Sequence, residues 1–215
     1  MQDTYRHKGL RRLLVRELQQ KGIADAAVLA AIGAVPRHFF VEKAFEELAY
    51  TDRALSIGNE QTISQPYTVA YQTTLLEVEA GCTVLEVGTG SGYQACVLAA
   101  LGAEVYTVER IAALFERTQI LIREALPYYA HIRFFHRDGG EGLPECAPFE
   151  RILVTCAAPA IPETLCEQLS VGGVMVIPVG MEVQTMMRIR RTSATTWREE
   201  AFAEFRFVPL LNGKG

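Results

Sequence analysis

Three glycines at alternate positions, Gly88, Gly90 and Gly92, follow the apolar run Val84-Leu85-Glu86-Val87 and precede a second apolar, helix-like segment opening at Tyr93. Such a turn between a strand and a helix lets backbone approach a ligand closely, and the helix start offers unpaired N–H groups to an anion. Spacing decides which ligand. A dinucleotide-binding turn reads G-x-G-x-x-G, with its third glycine where helix and strand pack closely. Here that position is Tyr93. The form G-x-G-x-G, carrying Thr89 and Ser91 between its glycines, suits a ligand without a pyrophosphate, and S-adenosylmethionine is the commonest such ligand on this architecture. Its carboxylate would sit at the helix start.

Two acids extend the constellation. Glu109, followed by Arg110, ends the next β-like run, about twenty residues after Gly88, where a carboxylate can accept from both ribose hydroxyls. Asp138-Gly139 follows the run Arg133 to His136, where the acid can accept from an adenine amino group and the glycine leaves room for the ring. Alone, Glu109 reads as a solvated strand-end acid and Asp138-Gly139 as a turn. Three matched strand ends are far more specific than any one of them.

The elements that must hold these residues alternate. Val84 to Val87, Glu104 to Val108, Ile132 to Phe135, Arg151 to Thr155 and Val174 to Val179 read as short strands. Helical patterns lie between them, reaching to about Leu101, over Ile111 to Leu126 and over Pro162 to Leu169. This order predicts an α/β fold of Rossmann-like type: a mostly parallel, doubly wound sheet with ligands above the carboxyl ends of its strands. After Gly180 the pattern becomes antiparallel over Met186 to Arg191 and Trp197 to Phe207, ahead of a tail at Leu211 to Gly215. Upstream stand two helices, Arg6 to Gln20 and one capped by Asp25. A long irregular stretch from Pro36 to Tyr71 follows, of the kind that is often functional. The predicted organisation is an N-terminal helical extension with an active-site loop over residues 1–80. It packs on an α/β core over 81–215, as one compact domain.

Composition narrows the class. With 215 residues, 49% of them hydrophobic, the chain can bury a substantial core, and a net charge of -4 argues against general nucleic-acid binding. No stretch approaches the roughly 20 apolar residues of a membrane span. The basic residues of the first segment come with Asp3 and Glu17 and no apolar run, unlike a targeting peptide. Cys82, Cys96, Cys146, Cys156 and Cys166 form no C-x-x-C pair, and His7, His38, His131 and His136 have no metal or triad spacing. The expectation is a soluble cytoplasmic monomer with reduced thiols and no metal.

The polar block Gln61-Thr62-Ile63-Ser64-Gln65-Pro66-Tyr67 has an ordinary reading as the cap of a helix beginning near Tyr67. Together with Val35 to Phe40, Val84 to Ala95, Val108-Glu109-Arg110, Asp138-Gly139, Phe149 to Thr155, Ala158-Pro159, Gly172-Gly173, Ile177 to Gly180 and Phe207 to Leu210, it resembles the protein-L-isoaspartate (D-aspartate) O-methyltransferase family, collinearly over nearly the whole chain. The resemblance implies a class I S-adenosylmethionine-dependent methyltransferase that methylates the α-carboxylate of L-isoaspartyl residues in damaged proteins and peptides, releasing S-adenosyl-L-homocysteine. It implies Ser64 as the active-site residue, in contact with substrate. It places Thr62, Ile63, Gly88, Thr89, Gly90, Ser91, Gly92, Glu109, Arg110, Asp138 and Gly139 around the cofactor, and Val208, Pro209 and Leu210 along the peptide groove. Arg137 and Gly140 depart from the family pattern. Competing readings are a methyltransferase of another carboxylate substrate and a non-catalytic S-adenosylmethionine-binding module. A nicotinamide-dependent oxidoreductase is disfavoured by Tyr93.

Overall fold

The computed structural model describes residues 2–211 and 213. Two short strands, β1 (Leu55–Gly58) and β2 (Gln61–Ile63), form a hairpin, and β3 (Thr83–Val87), β4 (Glu104–Glu109), β5 (Arg133–His136), β6 (Phe149–Val154), β7 (Leu169–Val179), β8 (Gln184–Arg191) and β9 (Trp197–Phe205) form one sheet. The helices are α1 (Tyr5–Gln20), α2 (Ala26–Ala34), α3 (Pro66–Leu76), α4 (Tyr93–Ala100), α5 (Ala112–Ala125) and α6 (Glu163–Glu167).

The sheet runs β5-β4-β3-β6-β7-β8-β9, parallel from β5 to β7 and antiparallel at both β7–β8 and β8–β9. The central strands bury consecutive positions, Val84 to Val87 in β3 and Ile152 to Val154 in β6, as a sheet covered on both faces requires. Because β3 lies between β4 and β6, the turns after these strands converge at one edge. The strand order reverses there, which is where open α/β sheets bind ligands.

Several boundaries differ from the sequence reading by a residue or more. β7 starts at Leu169, five residues before Val174, because a bulge beside Phe149 absorbs the Gly172-Gly173 step. α6 is confined to Glu163–Glu167. β9 ends at Phe205, two residues short of Phe207, whose N–H donates to the Gln184 side chain at 2.8 Å and turns the chain off the sheet.

The irregular stretch after α2 contains two 3-10 turns, Arg37–Phe40 and Lys43–Leu48, and then the β1–β2 hairpin. Its two-residue loop, Asn59-Glu60, has φ of 52° and 58°. Positive φ at both positions is the mirror-image turn that matches strand twist, and Asn tolerates it well. The N-terminal helices share the main apolar cluster with α4 and β3: Leu14, Leu18, Val28 and Ile32 pack in one core with Val84, Cys96 and Leu98. A polar lock fixes the chain start there. Both Asp3 oxygens take Arg11, at 3.2 and 2.9 Å, while His7 stacks on His38 at 3.8 Å and His38 Nδ1 meets the Tyr50 hydroxyl at 2.7 Å. Asp3, His7 and His38 bring ligand-type atoms within 4.8 Å of one another, but face-to-face imidazoles and a carboxylate held by a guanidinium form a hydrogen-bonded network rather than a cation cage.

Candidate active site

Above the carboxyl ends of β3, β4 and β6 the turns form a partly open cavity, placed where open α/β sheets bind ligands. The floor is the glycine turn. Gly88 and Thr89 N–H both donate to Val108 O, at 2.9 and 3.1 Å, and Gly92 N–H donates to Thr89 O at 2.8 Å. Hydroxyls clamp it from outside, Thr155 on Gly88 O at 2.7 Å and Thr118 on Gly90 O at 2.8 Å. The turn is therefore an internally bonded cradle, with fewer free amide donors than its sequence suggests.

Gly92, with φ of 84°, stands where α5 comes closest: an added Cβ would lie 2.6 Å from Thr118 Cγ2 and 3.0 Å from Ile122 Cδ1. The close-packing role thus falls one position before Tyr93. The tyrosine ring is free to turn away, edge-on to Phe40 at 5.5 Å and under the Arg37 guanidinium at 4.9 Å.

Glu109 is buried and divides its carboxylate between two backbone groups, Gly90 N–H at 2.8 Å and Ile111 N–H at 2.9 Å. It joins the turn to the start of α5, and each oxygen keeps a further lone pair for a ligand hydroxyl. Behind the turn, Thr107 donates to the fully buried Glu86. Thr89 must then donate to Thr107 across the 2.6 Å that separate their hydroxyls. Burial pushes the Glu86 carboxyl up to about 8 against the Thr107 hydrogen bond, and the Glu109 charge adds to the rise.

The roof is the β1–β2 hairpin and the residues after it. Ile57 Cδ1 lies 3.7 Å from where a Cβ on Gly90 would stand, so the hairpin rests on the glycine turn. Gln61, Thr62, Ile63 and Ser64 all line the cavity. Neither Thr62 nor Ser64 caps the next helix. Pro66 opens α3 without an N–H, Gln65 makes no side-chain cap, and the first free amide, Tyr67 N–H, is taken at 2.7 Å by Asp52. A third wall comes from the C-terminus. Ala157 N–H donates to Val208 O at 2.8 Å and Leu210 N–H to Ala157 O at 2.7 Å, which lays Val208, Pro209 and Leu210 across the cavity mouth.

The cavity thus gathers Thr62, Ile63, Ser64, Gly88, Thr89, Gly90, Ser91, Glu109, Arg110, Gly139, Val208, Pro209 and Leu210. Gly92 and Asp138 are not on its lining. Gly92 faces α5, and Asp138 accepts from Gly140 N–H at 2.8 Å and from Gly213 N–H, bordering a neighbouring recess instead. Arg110 lines the cavity while its Nε reaches Gly213 O at 2.9 Å. Sequence reasoning missed Gln61, Val69, Gln94, Ile111, Thr155 and Cys156 as wall residues. The position of Thr155 and Cys156 directly after β6 was the available signal. Burial pushes the Cys156 thiol up to about 12, and the Glu109 charge acts the same way, so it stays a neutral thiol.

A parallel sheet with antiparallel closing strands, a glycine cradle after its central strand and an acid ending the next define a class I S-adenosylmethionine-dependent methyltransferase. The fold is shared with a candidate protein-L-isoaspartate O-methyltransferase from Plasmodium falciparum solved in complex with S-adenosyl-L-homocysteine. That match has a TM-score of 0.83 at 23% identity, covering 94% of this chain and 98% of that one. A second solved protein-L-isoaspartate O-methyltransferase matches with a TM-score of 0.85 at 25% identity, over 95% of this chain and 67% of its own. The chain belongs to the protein-L-isoaspartate(D-aspartate) O-methyltransferase family, whose model matches residues 10–215. Relatives named protein-L-isoaspartate O-methyltransferase include those of Christiangramia forsetii, 51% identical, and Flavobacterium johnsoniae, 52% identical, each over 100% of both chains.

Proposed function

We propose that the chain transfers a methyl group from S-adenosylmethionine to the α-carboxylate of L-isoaspartyl residues in damaged proteins and peptides, with Ser64 as the residue that meets that carboxylate. The observation that carries this reading is the convergence of the Thr62–Ser64 roof, the glycine cradle and the Val208–Leu210 strip on one cavity. The cavity fits the cofactor: backbone without side chains at Gly88 and Gly90, an acid with free lone pairs at Glu109, and apolar Ile111 beside it. Gly88 to Ser91 would hold its methionine end, Glu109 its ribose, and Gly139 its adenine, with Thr62 and Ile63 above. Bound there, it supplies an electrophilic methyl group on a sulfonium.

The remaining work belongs to the chain. A substrate carboxylate is already ionised near neutral pH, so no general base is required, and among the cavity residues Cys156 is a neutral thiol. Alignment of the carboxylate is worth roughly 7–11 kcal/mol by effective-molarity arguments. The Val208–Leu210 strip and the roof exclude water, which makes the carboxylate more reactive provided a few donors replace its hydration. The Ser64 hydroxyl is such a donor. The methyl ester leaves the enzyme; the backbone amide nitrogen closes on the ester carbonyl to a succinimide with loss of methanol, and hydrolysis returns part of the material to ordinary aspartate.

Among the described residues no helix is long and apolar enough to cross a membrane, and all five cysteines are free. The proposed setting is the cytoplasm, with the chain acting as a monomer on exposed, flexible peptide segments. Methyl transfer from labelled cofactor to an isoaspartyl peptide, set against its aspartyl counterpart, tests the reading.

A further inference from the structure

The segment between Asp52 and Tyr67 runs along β1, turns at Asn59-Glu60 and returns along β2 to α3, with Leu55, Ile57 and Ile63 buried in the main apolar cluster. Both ends of this excursion meet at one side chain. The Asp52 side chain is 2% exposed, and its Oδ1 accepts from Tyr67 N–H at 2.7 Å while Oδ2 accepts from Gln65 Nε2 at 3.0 Å. Gln65 Nε2 also reaches Asp52 main-chain O at 3.2 Å. Oδ2 is closed on its remaining side by Lys21 Nζ at 2.6 Å, an ammonium at the C-terminal cap of α1 that Glu17 holds at 2.7 Å. Asp52 therefore ties the neck of the loop whose far side carries Thr62, Ile63 and Ser64, and anchors that neck to the N-terminal helix.

We infer that Asp52 is a positioning residue for methyl transfer, setting the placement of Ser64 through Gln65 and Tyr67. The inference rests on the reading of Ser64 given above. The chemistry favours a carboxylate at this point: a helix start with Pro first still leaves Tyr67 N–H to satisfy, its dipole prefers negative charge, and a buried anion needs the cation Lys21 supplies. Ser64 adjoins the clamped Gln65 directly, so slack at the neck passes to its hydroxyl without an intervening element. The glycine cradle touches the hairpin at Gly90 but is held, with Glu109, by bonds of its own, so the slack should reach it far less than Ser64.

The test compares Asp52→Ala and Asp52→Asn with wild type by kcat and KM for an isoaspartyl peptide, S-adenosyl-L-homocysteine affinity by calorimetry, and thermal midpoint. Asp52→Ala is expected to lower kcat per folded molecule by roughly 10- to 100-fold, the scale of a small misplacement of reacting groups, with a much smaller change in cofactor affinity. Asp52→Asn, which keeps an acceptor for Tyr67 N–H but loses the charge facing Lys21, should fall between the two and serves if the alanine variant does not fold. Faster amide exchange over residues 61–65 should accompany both. A kcat per folded molecule equal to wild type in both variants, with only the thermal midpoint lowered, would reduce Asp52 to a stabilising role and overturn the inference. Ser64→Ala run alongside separates the two readings: full turnover there removes Ser64 from the mechanism whatever Asp52 does.

Discussion

Ser64 and Glu109 both line the proposed site with different duties, and single substitutions should separate them. Ser64→Ala removes a donor to a charged group, so turnover on an isoaspartyl peptide is expected to drop roughly 10- to 100-fold, matching about 1.5–3 kcal/mol. Calorimetric affinity for the cofactor should stay near wild type, and unchanged turnover would contradict the assignment. Glu109→Ala should instead weaken cofactor binding by about 1.5–3 kcal/mol. Because its carboxylate also holds Gly90 N–H and Ile111 N–H, part of that loss comes from a slack cradle rather than a missing ribose contact. Glu109→Gln, which keeps one acceptor oxygen, should lose less than alanine. Equal losses from both variants would assign the whole effect to charge.

Among the elements, the strand–turn–helix unit at β3 and α4 carries the binding chemistry and was legible in sequence, because alternating glycines between two apolar runs mark a turn that takes positive φ at Gly88, Gly90 and Gly92. The hairpin roof was not. Strands of four and three residues leave no period to read, and the positive-φ Glu60 at its tip runs against residue preference. Asp52 escaped notice for a related reason, since a cap supplied from another segment has no local spacing. The step from β9 to the cavity mouth depends on a Gln184 side chain more than twenty residues from its partner, Phe207. Two predictions belong at this scale. Gly92→Ala, strained at φ of 84° and pressed on Thr118 and Ile122, should cost about 1–3 kcal/mol of stability, read from denaturant midpoints; no shift would mean that α5 can give way. Glu86, pushed up to about 8, binds a proton in the folded state that the unfolded chain releases from about pH 4.5 upward. Stability should therefore fall as pH rises through that window, and Glu86→Gln should flatten the fall in thermal midpoint between pH 5 and 8. A parallel decline in both proteins would show that the carboxyl is ionised throughout.

At the scale of the molecule, the hairpin and the C-terminal strip close over a site that the α/β core alone would leave open, while the N-terminal helices pack into the main apolar cluster. An isoaspartyl linkage routes the main chain through the β-carbon, so recognition must read backbone geometry, and only exposed, flexible chain can reach a roofed cavity. Isoaspartyl sites in unfolded or loop segments should accordingly be methylated faster than the same sites within packed elements, measured on one protein before and after denaturation. The most direct measurement is transfer of labelled methyl from S-adenosylmethionine to an isoaspartyl peptide and to its aspartyl twin. Label on the isoaspartyl peptide and none on the aspartyl one is the predicted result. Equal labelling of both, or no labelling by a protein that binds the cofactor, would contradict it.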